Sequence, residues 1–193
     1  MRLPEIAPKD RMTTALLLID IQNDYFPGGA MTLVGADRAA ANAAHLLRSF
    51  RERGQSILHV QHIAARPGAT FFRPDTDGAR IHAAVQPLAG EVTIVKHFPN
   101  SFRDTDLLAS LRSAGVSKLV IAGMMTHMCV DTTVRAAADL GFGCSLAADA
   151  CATKDLEFEG ERVAASHVQL AYLAAINGSF ATVASAERLG ATA

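Results

Sequence analysis

The sequence predicts a single α/β domain, built on a doubly wound, mainly parallel sheet of six strands with helices on both faces in a Rossmann-like three-layer arrangement. Short continuous apolar runs recur, as in Ala-Leu-Leu-Leu-Ile at 15–19 and Leu-Val-Ile-Ala at 119–122, and runs of this kind suit strands covered on both faces. Between them lie segments with apolar residues at helical spacing, such as Leu46, Leu47 and Phe50. At 193 residues and 50% hydrophobic content the chain can bury one full core and is short for two, so 1–193 is read as one domain with its core at about 13–183.

In order, the first strand occupies 15–19 and stops at Asp20, where Pro27, Gly28 and Gly29 punctuate a loop. A helix begins after Asp37 as N-cap and ends near Gly54, and a second strand follows at 56–60. From 62 to 90 no period is sustained apart from one turn at 81–85. Turn formers recur there at Pro67-Gly68, Pro74, Asp77-Gly78 and Pro87. A loop of that length inside a compact domain is usually functional, and Phe71-Phe72 calls for burial, so it reads as a pocket wall or a subunit contact. The third strand is 91–95. Asp104 or Thr105 caps a helix carrying Leu107, Leu108 and Leu111, which Gly115 ends. After the fourth strand at 119–122, the turn 123–130 leads into a helix with Val130, Val134, Ala137 and Leu140 on one face, ending near Gly141. A fifth strand at 144–147, a loop at 149–155, a helix at 161–176 closed by Asn177-Gly178 and a sixth strand at 180–183 complete the chain.

Composition narrows the function classes. A net charge of -1 with 19% charged residues carries no electrostatic footprint for nucleic acid or an anionic membrane, which leaves small neutral or anionic molecules as partners. Residues 1–11 lack the apolar segment of a secretory signal and no apolar run approaches spanning length, so a cytoplasmic protein is expected. The three cysteines, Cys129, Cys144 and Cys151, are odd in number and without C-x-x-C spacing, which argues against a disulfide framework and leaves at least one free thiol.

Ligands of open parallel sheets bind at the carboxyl ends of the strands. Asp20 follows strand one, Lys96 follows strand three, and the turn after strand four leads to Cys129: a base, a cation and a nucleophile on one sheet edge. Placed at a helix start, the thiol is biased toward the thiolate by the unpaired N–H groups there. Taken singly, each has an ordinary alternative: a buried small hydrophobe for Cys129, a turn cap for Asp20, a solvated charge for Lys96. Together they form a set that acyl transfer needs, a thiol with a cation to stabilise it and a carboxylate to carry its proton. Gln22, Tyr25, Phe26, His62, Phe71, Phe72, His97, Phe98 and Thr126 are the candidate pocket residues, with core packing the alternative for each aromatic.

The segments Ala-Leu-Leu-Leu-Ile-Asp-Ile-Gln-Asn-Asp at 15–24, Val-Lys-His-Phe-Pro-Asn-Ser-Phe at 95–102 and Gly-Met-Met-Thr-His-Met-Cys-Val at 123–130 resemble the three signature segments of the isochorismatase-like cysteine hydrolases, which include the nicotinamidase-related amidohydrolases. The resemblance spans nearly the whole domain. It implies a catalytic triad of Asp20, Lys96 and Cys129, a cis peptide between Met124 and Met125, and an oxyanion hole formed by the N–H groups of Met125 and Cys129. The implied reaction is hydrolysis of an amide or carbamoyl C–N bond in a small molecule, and the implied assembly is a homo-oligomer, dimer or tetramer.

The chain departs from the nicotinamidase pattern after the second strand, where an Asp-x-His metal motif is replaced by Gln61-His62-Ile63-Ala64. No cofactor and no metal are therefore expected, although His59, His62, His82, His97 and His127 are numerous enough to assemble a ligand set. Cys129 favours an amidase over a vinyl ether hydrolase of the isochorismatase type, which works without the nucleophilic cysteine. Two other readings remain, a non-catalytic oligomeric interaction module and a peroxide-sensitive thiol resolved by Cys144 or Cys151.

Overall fold

A computed structural model describes residues 13–192, so the N-terminal stretch read above for a secretory signal lies outside the described residues. The elements run β1 (Thr13–Ile19), α1 (Ala36–Glu52), β2 (Ser56–His62), β3 (Val92–Lys96), α2 (Leu107–Ser113), β4 (Val116–Met124), α3 (Asp131–Asp139), β5 (Gly143–Ala152), β6 (Leu156–Phe158), β7 (Glu161–Val163), α4 (Ala165–Ile176), β8 (Thr182–Ala184) and α5 (Ala186–Thr192). Six strands form one sheet in the order β3-β2-β1-β4-β5-β8, every neighbouring pair parallel, and β6 with β7 makes a separate antiparallel hairpin. The fold is the α/β sheet expected from the sequence.

β1 shows why its run of apolar residues has no polar alternation. Leu16 and Leu18 face a cluster with Ala43, Leu46, Leu47 and Phe50 of α1, while Leu17 and Ile19 face Leu107 and Leu111 of α2 and Val134 of α3. Both faces are therefore covered, and a strand with no solvent side needs no polar residues.

The long segment between β2 and β3 is the crossover that two parallel neighbours require, made of loop and two single 3-10 turns in place of a helix. Phe72 and Val85 bury into the α1 side of the sheet and give it a fixed course. This covered face is what no local period could reveal.

Several boundaries differ from the sequence reading. The N-cap of α1 is Gly35 at φ 76°, and Asp37 lies inside the first turn. The N-cap of α2 is Asp106, while Thr105 accepts from the Leu107 N–H at 3.4 Å through its hydroxyl. β5 runs on through Asp149, Ala150 and Cys151, which the sequence placed in a loop, because Cys151 and Ala152 pair with the far end of β4. Glu161 belongs to β7, and α4 starts only at Ala165, whose N–H is held by Asp155 Oδ1 at 2.8 Å. The closing helix α5 was not foreseen.

The β order reverses between β1 and β4, and this switch point is where the end of β4 comes against β1. Gly123 pairs with Ile19 at φ 145°, and a Cβ there would lie 2.1 Å from the Ile19 carbonyl oxygen. Only glycine permits that approach and that backbone together. Gly123→Ala should cost about 2–4 kcal/mol, read as a lowered urea midpoint at unchanged m, because both the contact and the φ resist a side chain.

Candidate active site

Asp20, Lys96 and Cys129 arrive at the switch point from three separate elements. Asp20 leaves β1 in the left-handed region at φ 51°, a conformation aspartate tolerates better than most residues, and its own N–H donates to the Val60 carbonyl at 3.0 Å. Lys96 ends β3, two strands away from β1, and its side chain must cross the end of β2 to reach Asp20. Its Nζ lies 2.7 Å from Asp20 Oδ2, 3.0 Å from His62 Nδ1 and 3.1 Å from the Phe98 carbonyl oxygen. An ammonium has three protons, so all are placed.

Both partners of this ion pair are 0% exposed. Burial alone would disfavour the Lys96 charge, but the Asp20 carboxylate 2.7 Å away outweighs it and holds the pKa of Lys96 above its ordinary value. Asp20 Oδ1 has no hydrogen-bond partner among the described residues, so a carboxylate oxygen is free to take a proton.

Cys129 occupies the fourth position of a π-helical turn at Thr126–Val130, which precedes α3; the sequence had expected a simple helix start. The Met124–Met125 peptide leading into that turn is cis. Burial, reinforced by the nearby Asp20 carboxylate and only partly offset by Lys96, pushes the Cys129 thiol well above the usual range. These causes favour the neutral thiol over the thiolate expected from helix position. A desolvated site next to a carboxylate outweighs the partial charge of a helix end.

His62 stands beside this group. Burial and the Lys96 charge lower its pKa to about 4, which agrees with geometry: an ammonium can only donate, so Nδ1 accepts and the proton resides on Nε2. Gln22 fixes His62 in place. Its amide nitrogen donates to the His62 and Ala79 carbonyls at 2.9 and 2.7 Å, and its Oε1 accepts from the His62 N–H at 2.8 Å.

A cavity of about 360 Å³ opens beside the group, lined by His62, His97, Phe71, Phe72 and the loop 64–70. Of the nine pocket residues nominated from sequence, four therefore line it. Gln22 spends its amide on backbone, as described. Phe26 stacks on His82 with ring centroids 3.7 Å apart, and Phe98 lies under the Arg103 guanidinium, contributing only its carbonyl. Thr126 is buried, its hydroxyl 2.7 Å from Gln169 Oε1 and 3.2 Å from the Ala152 carbonyl, so it ties the π turn to α4 and β5. Tyr25 is buried edge-on to Phe72, and burial together with Cys129 and Asp20 nearby holds its hydroxyl pKa well above normal.

The histidines do not assemble. His59 is bonded to Glu91 at 2.8 Å, His82 stacks on Phe26, and His127 is 2.6 Å from the Thr153 hydroxyl, so His62 and His97 alone reach the cavity. A different metal-like grouping does occur, in which Asp20, His62 and Cys129 bring ligand atoms within 4.8 Å of one another. The Lys96 ammonium already engages Asp20 Oδ2 and His62 Nδ1, and a divalent cation would have to sit against that charge.

Asp24, which the sequence left unassigned, anchors the cavity wall. Its carboxylate accepts from the Phe72 N–H at 2.6 Å and the Ala30 N–H at 3.1 Å, and Gly78 must lack a side chain because a Cβ there would lie 2.1 Å from Asp24 Oδ1.

An Isochorismatase domain model matches residues 14–188, and the chain belongs to that family. An uncharacterized isochorismatase family protein, YddQ of Bacillus subtilis, is 53% identical over 176 residues, covering 91% of this chain and 98% of that one. A crystal structure from Oleispira antarctica assigned to the isochorismatase hydrolases superposes with a TM-score of 0.91 at 50% identity, covering 94% of this chain and 98% of that one. The ureidoacrylate amidohydrolase RutB of Caulobacter vibrioides is 28% identical over 165 residues, covering 68% of this chain and 73% of that one.

Lys96→Met should destabilise the protein by about 3–5 kcal/mol near neutral pH, because it strands a buried carboxylate. Adding Asp20→Asn to it should recover much of the loss in urea melts. The depressed His62 pKa means the unfolded chain binds more protons between the ordinary value of 6.5 and about 4. Stability therefore falls as pH drops through that window, and His62→Gln should flatten part of the fall, the lowered His59 pKa supplying more of it.

Proposed function

We propose that this protein is a cysteine hydrolase that cleaves the C–N bond of a small amide or carbamoyl compound through a thioester on Cys129. The observation that carries this reading is the juxtaposition of Asp20, Lys96 and Cys129 at the sheet's switch point, with Lys96 Nζ 2.7 Å from Asp20 Oδ2 and the Cys129 sulfur within 4.8 Å of an Asp20 carboxylate oxygen. The kinship with an amidohydrolase supports the choice of a C–N bond.

When the substrate carbonyl meets the sulfur, Asp20 removes the thiol proton as the sulfur lone pair attacks carbon. The carbonyl electrons move to oxygen, where the N–H groups of Met125 and Cys129 receive them. Each such donor is typically worth about 2.7–4 kcal/mol. On collapse the C–N bond breaks and the Asp20 proton passes to the departing nitrogen. Water, deprotonated by Asp20, then attacks the thioester, and the sulfur leaves and recovers its proton. Lys96 offsets the negative charge at Asp20 and fixes the position of its carboxylate, which is the role its three bonds suit.

The mechanism uses this chain's own side chains and backbone N–H groups, and no step is routed through a metal or cofactor. Assembly as a homo-oligomer, dimer or tetramer, fits the apolar surface at Phe158 and Leu170, which are 74% and 69% exposed. Among the described residues no helix is long and apolar enough to cross a membrane.

A screen for ammonia release over small amides, ureas and carbamoyl compounds should identify a hydrolysed substrate. Cys129→Ala should lower its turnover by at least about 10³-fold with the circular dichroism spectrum unchanged, and turnover at the native rate by that variant would sink the scheme.

A further inference from the structure

His62 ends β2 and belongs both to the reacting group and to the cavity wall. Its register partner on β3 is Lys96, whose buried ammonium donates to His62 Nδ1 at 3.0 Å. With Nδ1 accepting, the neutral ring carries its proton on Nε2. Among the described residues Nε2 has no hydrogen-bond partner, and it is not one of the buried polar atoms left without one. The half-buried ring lines the cavity, so this N–H opens into it.

The surroundings hold that N–H still. Gln22 bonds the His62 backbone on both sides, at 2.8 and 2.9 Å, and the Phe72 ring packs against the imidazole with centroids 5.8 Å apart. They also keep the ring neutral: burial and the Lys96 charge, joined by His97 and Arg66, outweigh the opposing Asp20 carboxylate. His62 is thus unsuited to carry a proton to or from the reacting atoms, since its one lone pair is occupied by Lys96. It is suited to donate a hydrogen bond, and the ammonium at Nδ1 strengthens that donor by drawing electron density from the ring. A neutral imidazole held this way can polarise a carbonyl. One imidazole nitrogen, an Asp20 oxygen and the Cys129 sulfur lie within 4.8 Å of one another, so an acceptor on His62 lies close to the carbon that sulfur attacks.

We propose that His62 is a substrate-binding residue of this site, its Nε2–H, fixed in that tautomer by Lys96, donating a hydrogen bond to a substrate carbonyl oxygen near the reacting carbon. The inference rests on the proposed hydrolysis for where the substrate lies. It gives Lys96 a second task, orienting an imidazole as well as a carboxylate.

Asparagine and glutamine divide the two functions of the ring. His62→Asn keeps an acceptor for Lys96 at the level of Nδ1 and has no donor at Nε2, whereas His62→Gln carries an amide N–H out to the Nε2 position. Alkylation of Cys129 by iodoacetamide, which has a carbonyl beside the carbon attacked, is compared with alkylation by iodoethane, which has none. Both rates are read on the Cys129 peptide by mass spectrometry, and their ratio cancels changes in the thiol itself. His62→Asn should lower the ratio by about 5- to 10-fold, and His62→Gln should lose less than half as much. Nitrogen-15 spectra of the native protein, with the His62 signals assigned by their loss in His62→Gln, should show a protonated Nε2 and a bare Nδ1 from about pH 8 to about pH 5.5. A ratio unchanged in His62→Asn, an equal loss in both variants, or a proton on Nδ1 overturns the proposal. Where neither variant folds, the Nε2 resonance of Cys129→Ala decides: acetamide should shift it, and a resonance that stays in place overturns the proposal. An ammonia screen without a hydrolysed compound sinks the C–N chemistry, and leaves His62 to be judged on the ratios and spectra.

Discussion

The buried ion pair between Lys96 and Asp20 is the constraint around which this structure is arranged. Two opposite charges with no solvent exposure lie 2.7 Å apart, and such a pair persists only when the remaining donors are also satisfied. His62 Nδ1 and the Phe98 carbonyl supply what Lys96 still needs. Those two groups must then be held still, and Gln22 does this for His62 by bonding to its backbone on both sides. The polar residues around the site serve largely to keep one ammonium engaged, with Asp20 Oδ2 in the ion pair and Oδ1 without a hydrogen-bond partner among the described residues.

That arrangement separates the acid–base work from the nucleophile. The thiol sits in a place that disfavours its charge, through burial first and the Asp20 carboxylate second. The neutral thiol is therefore favoured at rest, which suits a nucleophile whose proton is taken up by a neighbouring carboxylate as it attacks. A thiol of this kind is poorly suited to act as a peroxide sensor, since oxidation proceeds through the thiolate. Cys144 and Cys151 are likewise pushed upward by burial, to about 11 and about 12, which weighs against either as a resolving partner.

The crossover between β2 and β3 carries the site's other half. In most parallel pairs a helix would fill this connection, whereas here an irregular chain covers the sheet and supplies the cavity wall. Irregular backbone is acceptable there because its anchor points are specific: Asp24 takes the Phe72 N–H, Gly78 makes room for Asp24, and Phe72 itself is buried. Selectivity can thus vary along the loop without disturbing the ion pair beneath it.

From sequence alone the sheet class, the strand cores and the placement of Asp20, Lys96 and Cys129 after three strands were all legible, because continuous apolar runs and the residues that end them are local signals. The turn around Cys129 was also legible as special, though its character was not: no local signal announces the π turn, and the raised thiol pKa follows from desolvation and from Asp20, which approaches from a distant part of the chain. The same holds for Gln22 and Phe98, whose residue types suggested a pocket but whose amide and carbonyl are consumed in holding His62 and Lys96. Local chemistry determined which groups this protein could bring to bear. Only the tertiary structure, through burial and the sharing of hydrogen-bond donors among strands, decided which of them stay charged, which stay neutral and which face the cavity.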